Sequence, residues 1–379
     1  MNICAGADQI VIRPTADLVK CARRGHLTTL GETAIVVRSC VGRTGSAARS
    51  RQDVAAMATI SEDLHIKAAW LYYIHGFSQE EVAKNLRTSR SKVARMLSSA
   101  REKGVVKISI EHETTETLAL CDWISATYNV KECLLTPYIG IESTDLELTA
   151  RLGKQAVGIV AANHISRRLQ NAELLTVGIG AGKTLAEMVV SFPSMAKSDL
   201  RVVSLLGASS LDDGNGCYSL TLRFAAATGG SALTLPAPLT VTDPETRRAL
   251  ERDRSVLDTL DIARNASLKV LGCSDCSAGN TFFRAARLEA REIAELVASG
   301  AVCEIGGSFL DRNGSLAPTL LNDRTMGVGL DALRRSEVIV LAAGRRKVEP
   351  LRAVLKAGLA DTIVIDNEIA EELVNRPKG

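Results

Sequence analysis

GFSQEEVAKNLRTSRSKVARMLSSAREKGVVKISIE, residues 76–111, decides the fold of the amino-terminal part of the chain. Ser78-Gln79-Glu80-Glu81 has the spacing of a capping box and opens a short helix carrying Val82, Ala83 and Leu86. Arg87-Thr88 form a tight connection, and Ser89 caps a third helix on which Val93, Met96, Leu97 and Ala100 recur at helical spacing. Gly104 ends that helix, and VVKISI (105–110) alternates as a strand does. Upstream, Ser61-Glu62-Asp63 starts a helix with Leu64, Ala68, Leu71 and Ile74 on one face, ending near Gly76. Three helices followed by a strand predict a winged helix-turn-helix over residues 58–113. Its third helix turns Arg90, Ser91, Lys92, Arg95, Ser98 and Ser99 outward. Cations there neutralise phosphates, and Arg, Lys and Ser also read base edges. A solvated basic helix is the competing reading. Its place as the second helix of the unit, the one that enters the major groove, favours double-stranded DNA. The candidate DNA contacts are Ser78, Gln79, Ser89, Arg90, Ser91, Lys92 and Arg95.

From about Val130, short β-rich runs alternate with helical ones. This predicts an α/β domain with a mostly parallel sheet over residues 114–379. The expected strands are 133–137, 174–180, 201–207, 268–273, 338–344 and 362–366. The expected helices are 146–169, 183–191, 218–228, 244–263, 288–299 and 348–357, with a further helical stretch at 115–128.

TVGIGAGKTL (176–185) is the most informative stretch of this domain. A strand runs into Gly178, Gly180 and Gly182, and Lys183-Thr184 then open a helix. Glycines admit a ligand close to the backbone, and a helix start offers unpaired N–H groups, which together make an anion site. A P-loop would need a glycine where Val177 stands, and a dinucleotide fingerprint would need its third glycine where Lys183 stands. A glycine-rich turn without a ligand is a further reading. A small phosphorylated ligand suits the residues better than any of these. Gly344-Arg345-Arg346-Lys347 before the helix at 348 is a second anion candidate, against the reading of a solvated basic turn. Catalysis finds little support. His164 is expected on a helix surface, no G-x-S-x-G elbow occurs, and Asp212-Asp213 lie in a turn-like loop.

The composition sets outer limits. The 379 residues carry 46 Lys+Arg and 43 Asp+Glu, a formal net charge of +3, with 46% hydrophobic residues. Such a chain folds rather than staying disordered. No apolar run is long enough to span a bilayer and no secretory signal is legible, so no membrane contact and a cytoplasmic location are expected. Nine cysteines, an odd number, do not suggest a disulfide framework. Cys273-Ser-Asp-Cys276 lacks a second ligand pair nearby and reads as buried thiols, so neither a metal nor a cofactor is expected. Residues 1–57 hold eight basic residues against four acidic ones and show no sustained periodicity. They read as an irregular basic extension that is dispensable or not native, since Met57 precedes the first patterned segment, or else as a basic arm assisting DNA binding.

The stretch 76–111, together with TVGIGAGKTL (176–185), SALTLPAPLTV (231–241), GAVCEIGGSFLDRNG (300–314) and VIVLAAGRRKVEPLRAVLKAGLADTIVIDNEIAEELV (338–374), resembles the SorC family of bacterial sugar-responsive transcriptional regulators. The resemblance covers about residues 61–375. It implies a DNA-binding domain joined to a Rossmann-like effector domain related to glucosamine-6-phosphate deaminase and ribose-5-phosphate isomerase. Such a domain binds a sugar phosphate, sugar or polyol without turning it over. Carried onto this chain, the effector residues would be Gly178, Gly180, Gly182, Lys183, Thr184, Gly272, Asp275 and Lys347. The family's A-G-G-x-x-K reads A-G-R-R-K here, and its G-I-G turn reads Gly272-Cys273-Ser274-Asp275. The expected protein is a regulator of a carbohydrate or polyol operon, binding operator DNA as a homo-dimer or tetramer. An isomerase or kinase-type enzyme fused to a DNA-binding domain is the alternative.

Overall fold

The computed structural model describes residues 34–37, 64–109, 115–137, 146–171, 176–209, 211, 214–277 and 280–375. The chain divides into two compact units, Met1–His112 and Glu113–Gly379.

In the first unit a helical stretch, residues 64–74 (α1), ends in a widened π turn at Trp70–Ile74. Its expected start at Ser61–Asp63 lies outside the described residues. Helix α2 (Gln79–Asn85) begins as its sequence requires. The Ser78 hydroxyl accepts from the Glu81 N–H, and the Glu81 carboxylate accepts from the Ser78 N–H at 2.8 Å. Those bonds hold the Glu81 carboxyl below its ordinary pKa. Helix α3 (Arg90–Glu102) is capped by Ser89, whose hydroxyl accepts from the Lys92 N–H at 3.2 Å. Between α2 and α3 the chain turns through Arg87, which takes a left-handed φ of 49°. Val82, Val93, Met96, Leu97 and Ala100 meet Ala68 and Ala69 of α1 in a small core. One expectation is corrected here: Ala34–Val37 (β1), inside the segment read as irregular, pairs antiparallel with Val106–Ser109 (β2). The run Ala-Ile-Val-Val is short but β-branched, so it suits a pleated edge.

The second unit opens with α4 (Thr115–Tyr128), β3 (Glu132–Leu135), α5 (Leu146–Asn171), β4 (Thr176–Ile179), α6 (Lys183–Ser191), β5 (Arg201–Ser204), α7 (Cys217–Thr228) and β6 (Ser231–Leu233). It continues with α8 (Pro244–Arg252), α9 (Arg254–Arg264), β7 (Leu268–Gly272), β8 (Ser274–Asp275), α10 (Thr281–Ala285), α11 (Ala290–Ala298), β9 (Ala301–Ile305) and β10 (Ser308–Asp311). It closes with α12 (Leu321–Arg324), α13 (Leu330–Arg334), β11 (Glu337–Ala342), α14 (Val348–Lys356), β12 (Thr362–Ile365) and α15 (Asn367–Asn375).

Seven strands form one sheet in the order β3-β12-β11-β7-β4-β5-β6, and every pairing in it is parallel. The strands are apolar on both sides because helices cover both faces. Val338, Val340 and Ala342 pack with α9, α13, α14 and α15, while Ile339 and Leu341 between them pack with α5, α6 and α7. Lys269 is the polar exception in β7. It is fully buried, and its ammonium donates to the carbonyls of Arg264 and Ala266, at 3.0 and 2.8 Å, and to the Ser336 hydroxyl. It thereby satisfies the last turn of α9, and burial lowers its pKa to about 8.

A second small sheet, β10-β9-β8, is antiparallel and was not expected. The expected single helix at 244–263 is two helices, because Asp253 leaves helical geometry and caps α9 with its carboxylate. His164, expected on the surface, is buried where α5 lies on the sheet. Its Nε2 stands 3.6 Å from Glu132, and burial lowers its pKa. Asp212 and Asp213 lie outside the described residues.

Candidate ligand-binding site

In the sheet order, the chain moves one way from β4 to β5 and β6, and the other way from β7 to β11 and β12. The loops after β4 and β7 therefore part, and open parallel sheets bind ligands in the crevice this leaves at the carboxyl ends of the strands. A cleft lies there, enclosing about 800 Å³ with its mouth included. Ala181, Gly182 and Lys183 line it from the β4 loop, Leu206, Gly207 and Ser209 from the loop after β5, and Gly272 and Ser274 from the end of β7.

The glycine loop is built for this position. Gly182 has φ +131° and open space around it, a conformation that side-chain-bearing residues rarely adopt. Its N–H donates to the Asn215 carbonyl at 2.8 Å, which ties the loop to the far wall of the cleft. Gly182, at the N-cap of α6, has no side chain with which to cap the helix, and the first turn of a helix is where an anion is held. Thr184 follows in that first turn. Gly178 and Gly180 sit deeper, within and just beyond β4. A Cβ on either would collide with Leu205 or Leu271, and the Gly180 N–H donates to Val270. Their part is to let the strand pack.

The second anion candidate divides into two. Arg345 pairs with Glu372, while Arg346 pairs with Asp275 (Nε to Oδ2, 3.2 Å) and donates to the Ser277 hydroxyl. The Gly344 N–H donates to Asp366 at 2.6 Å, and the Arg345 N–H donates to Glu368 at 3.2 Å. The protein's own carboxylates thus occupy the place an anion would take. Asp275 faces this turn, and its neighbour Ser274 lines the cleft. Lys347 is different: its charge acts on Glu304 and on the thiols of Cys273 and Cys276.

Glu304 is the residue that sequence reasoning missed. It lies in β9, is 5% exposed, and lines the cleft. Burial raises its pKa to about 7, against the pull of the Gly307 N–H, which donates to it at 2.9 Å, and of Lys347. A carboxyl poised there both donates to and accepts from hydroxyl groups. Thr281 and Arg284 add polar groups on the same wall. The signal was present as a single charge inside the apolar run Ala-Val-Cys-Glu-Ile. Cys273, Cys276 and Cys303 are free, buried thiols beside it, with burial holding Cys273 at about 11 and Cys276 at about 12. They serve as small apolar groups.

In the first unit, Ser89, Arg90, Ser91, Lys92 and Arg95 lie exposed together along the start and outer face of α3. Ser78 and Gln79 begin α2, where Ser78 serves as its cap. Ser98 and Ser99 are half-buried.

Comparison with known proteins gives one answer. Residues 112–375 match the family described as "Putative sugar-binding domain". The erythritol catabolism regulatory protein EryD of Brucella abortus is 31% identical over 323 residues, which is 85% of this chain and all of that protein. The deoxyribonucleoside regulator of Bacillus subtilis is 29% identical over 83% of this chain and 98% of its own length. Among solved structures, a DeoR family transcriptional regulator from Listeria monocytogenes superposes with a TM-score of 0.61 at 25% identity, covering 68% of this chain and 99% of that one. The full-length sorbitol operon regulator SorC from Klebsiella pneumoniae has the same fold, with a TM-score of 0.61 at 21% identity over 83% of this chain and 99% of its own. With the sheet order, the cleft at its switch point and these relatives in agreement, the chain belongs to the SorC/DeoR-type family of sugar-responsive transcriptional regulators.

Proposed function

We propose that this regulator binds operator DNA through α3 and binds a small phosphorylated sugar or polyol in the switch-point cleft. The observation that carries the reading is the polarity of the cleft. The start of α6 and Lys183 line it together with Glu304, and the charge of Lys347 acts on that carboxyl. The helix start and the cations suit a phosphate, and the Glu304 carboxyl suits hydroxyl groups. The relative named for erythritol catabolism puts four-carbon polyols and their phosphates first among the compounds to try. The protein works as a homo-dimer or tetramer, since helix-turn-helix proteins read two half-sites. It acts on DNA in the cytoplasm, and among the described residues no helix is long and apolar enough to cross a membrane.

The cleft senses its ligand rather than converting it. An isomerase needs an acid and a base on the substrate. Among the described residues Glu304 is the one carboxyl lining the cleft, and Asp275 is held by Arg346 and Ser277. Thermal-shift screening of the purified protein against tetroses, pentoses, hexoses and their polyols, each with and without phosphate, tests the reading. A ligand that binds only the folded form raises the melting temperature. A phosphorylated hit that changes operator affinity and is recovered unchanged is expected. A hit that is consumed would restore the enzyme alternative, and hits confined to nucleotides would overturn the sugar reading.

A further inference from the structure

An element that no motif marks brings a further cation within electrostatic reach of Lys183 and Lys347. Helix α5 enters β4 and α6 leaves it, so in a parallel sheet the two helices run in the same direction. They touch closely: a Cβ on Gly158 would lie 2.6 Å from the Glu187 Cβ and 2.7 Å from the Met188 nitrogen. One turn back from this contact, α5 carries Lys154, and one turn back from Glu187, α6 carries Lys183. The preceding residue, Gly153, abuts the third side. A Cβ there would lie 3.0 Å from an Asp366 carboxylate oxygen and 4.0 Å from the Ala343 Cβ, at the loop that leads to Lys347. The first turns of α5 are thus wedged between the start of α6 and the end of β11.

Lys154 is half-buried in that wedge. Burial lowers its pKa, the charges of Lys183 and Lys347 lower it further, and Glu187 and Glu147 oppose them. None of the three ammonium groups forms an ion pair among the described residues. Three like charges drawn from three elements repel one another, the carboxylates of Glu187 and Glu147 offset part of that repulsion at Lys154, and a bound dianion would relieve it further.

The geometry points to Lys154 as a third ligand of the anion site, which together with Lys183 and Lys347 selects a doubly charged group such as a phosphomonoester over a carboxylate. The inference rests on the reading of the cleft as an anion site. It adds that part of the affinity comes from α5.

Calorimetric titration of the full chain with sulfate, inorganic phosphate and acetate, at ionic strength held constant with chloride, tests it. The wild type is expected to bind sulfate and phosphate well above acetate. Lys154→Gln is expected to weaken the two dianions roughly tenfold, the scale of one lost charge-assisted hydrogen bond, and to leave acetate unchanged. Lys154→Arg is expected to restore binding. The ligand-free melting temperature of Lys154→Gln is expected to hold or rise, because a repulsion has been removed. Wild-type dianion affinity in Lys154→Gln, with Lys183→Gln weakened, would overturn the role of Lys154 alone. Failure of the wild type to bind either dianion would overturn the anion site and this inference with it.

Discussion

Glu304 stands between Cys303 and Ile305 in a strand whose other residues are apolar, and its pKa is raised from 4.5 to about 7 by burial. The consequence has a definite sign. Between these values the folded protein keeps a proton that the unfolded chain has released, so stability falls as pH rises from about 4.5 to about 7 and the penalty is complete above that. Glu304→Gln removes the titration. Urea unfolding midpoints at pH 5 and pH 8 are expected to differ less in the variant than in the wild type, and equal differences would show that the carboxyl is not buried as described. A ligand hydroxyl that donates to the carboxylate offsets the same penalty, so Glu304→Gln also weakens a polyol-type ligand. The sequence contained the clue, a charge within an apolar run. It could not show what the charge faces, because Gly307, Lys347 and the end of β7 meet only after β9 has paired with β8 and β10. Lys154 was hidden for the same reason. Its neighbours lie on α6 and after β11, and nothing local on α5 marks it.

Elements were legible where one period runs long enough. The helix expected at 183–191 is α6 itself, and 146–169 is α5 short by two residues. The central strands came through because parallel strands covered on both faces are unbroken apolar runs. The two-residue β8 and the edge strand β6 carry too little pattern to stand out, and in 244–263 an apolar period crosses Asp253, where local capping wins over periodicity. Helix α3 was legible through its caps as well as its stripe, and its function is tested at the same scale. Arg90 and Lys92 lie exposed in its first turn, beyond the Ser89 cap that holds the helix by about 1 kcal/mol. Arg90→Ala or Lys92→Ala is expected to weaken binding to duplex DNA, with a salt dependence shallower by about one unit of log–log slope per lost phosphate contact and an unchanged melting temperature. An unchanged affinity in a titration from low to moderate salt would remove α3 as the binding face.

The whole molecule is a regulator only if its two sites share free energy. A ligand with equal affinity for DNA-competent and incompetent assemblies shifts nothing, however tightly it binds. The effector must therefore prefer one state, and linkage makes the preference mutual: whatever factor the effector applies to operator affinity, the operator applies to effector affinity. Couplings of this kind usually lie between about 5-fold and 150-fold. Two titrations on the same preparation are expected to return the same factor, one of labelled operator DNA with and without saturating effector, the other of effector with and without saturating operator. Sedimentation of each state shows whether the factor resides in assembly, since an oligomer reading two half-sites loses DNA affinity when its subunits separate. Variants divide the problem further. Lys183→Ala, in the cleft, is expected to spare operator affinity and abolish the change on adding effector, whereas Arg90→Ala is expected to lower operator affinity and leave effector binding to the free protein intact. If Lys183→Ala lowers operator affinity without effector present, the cleft contributes to the DNA-competent state itself rather than to its control.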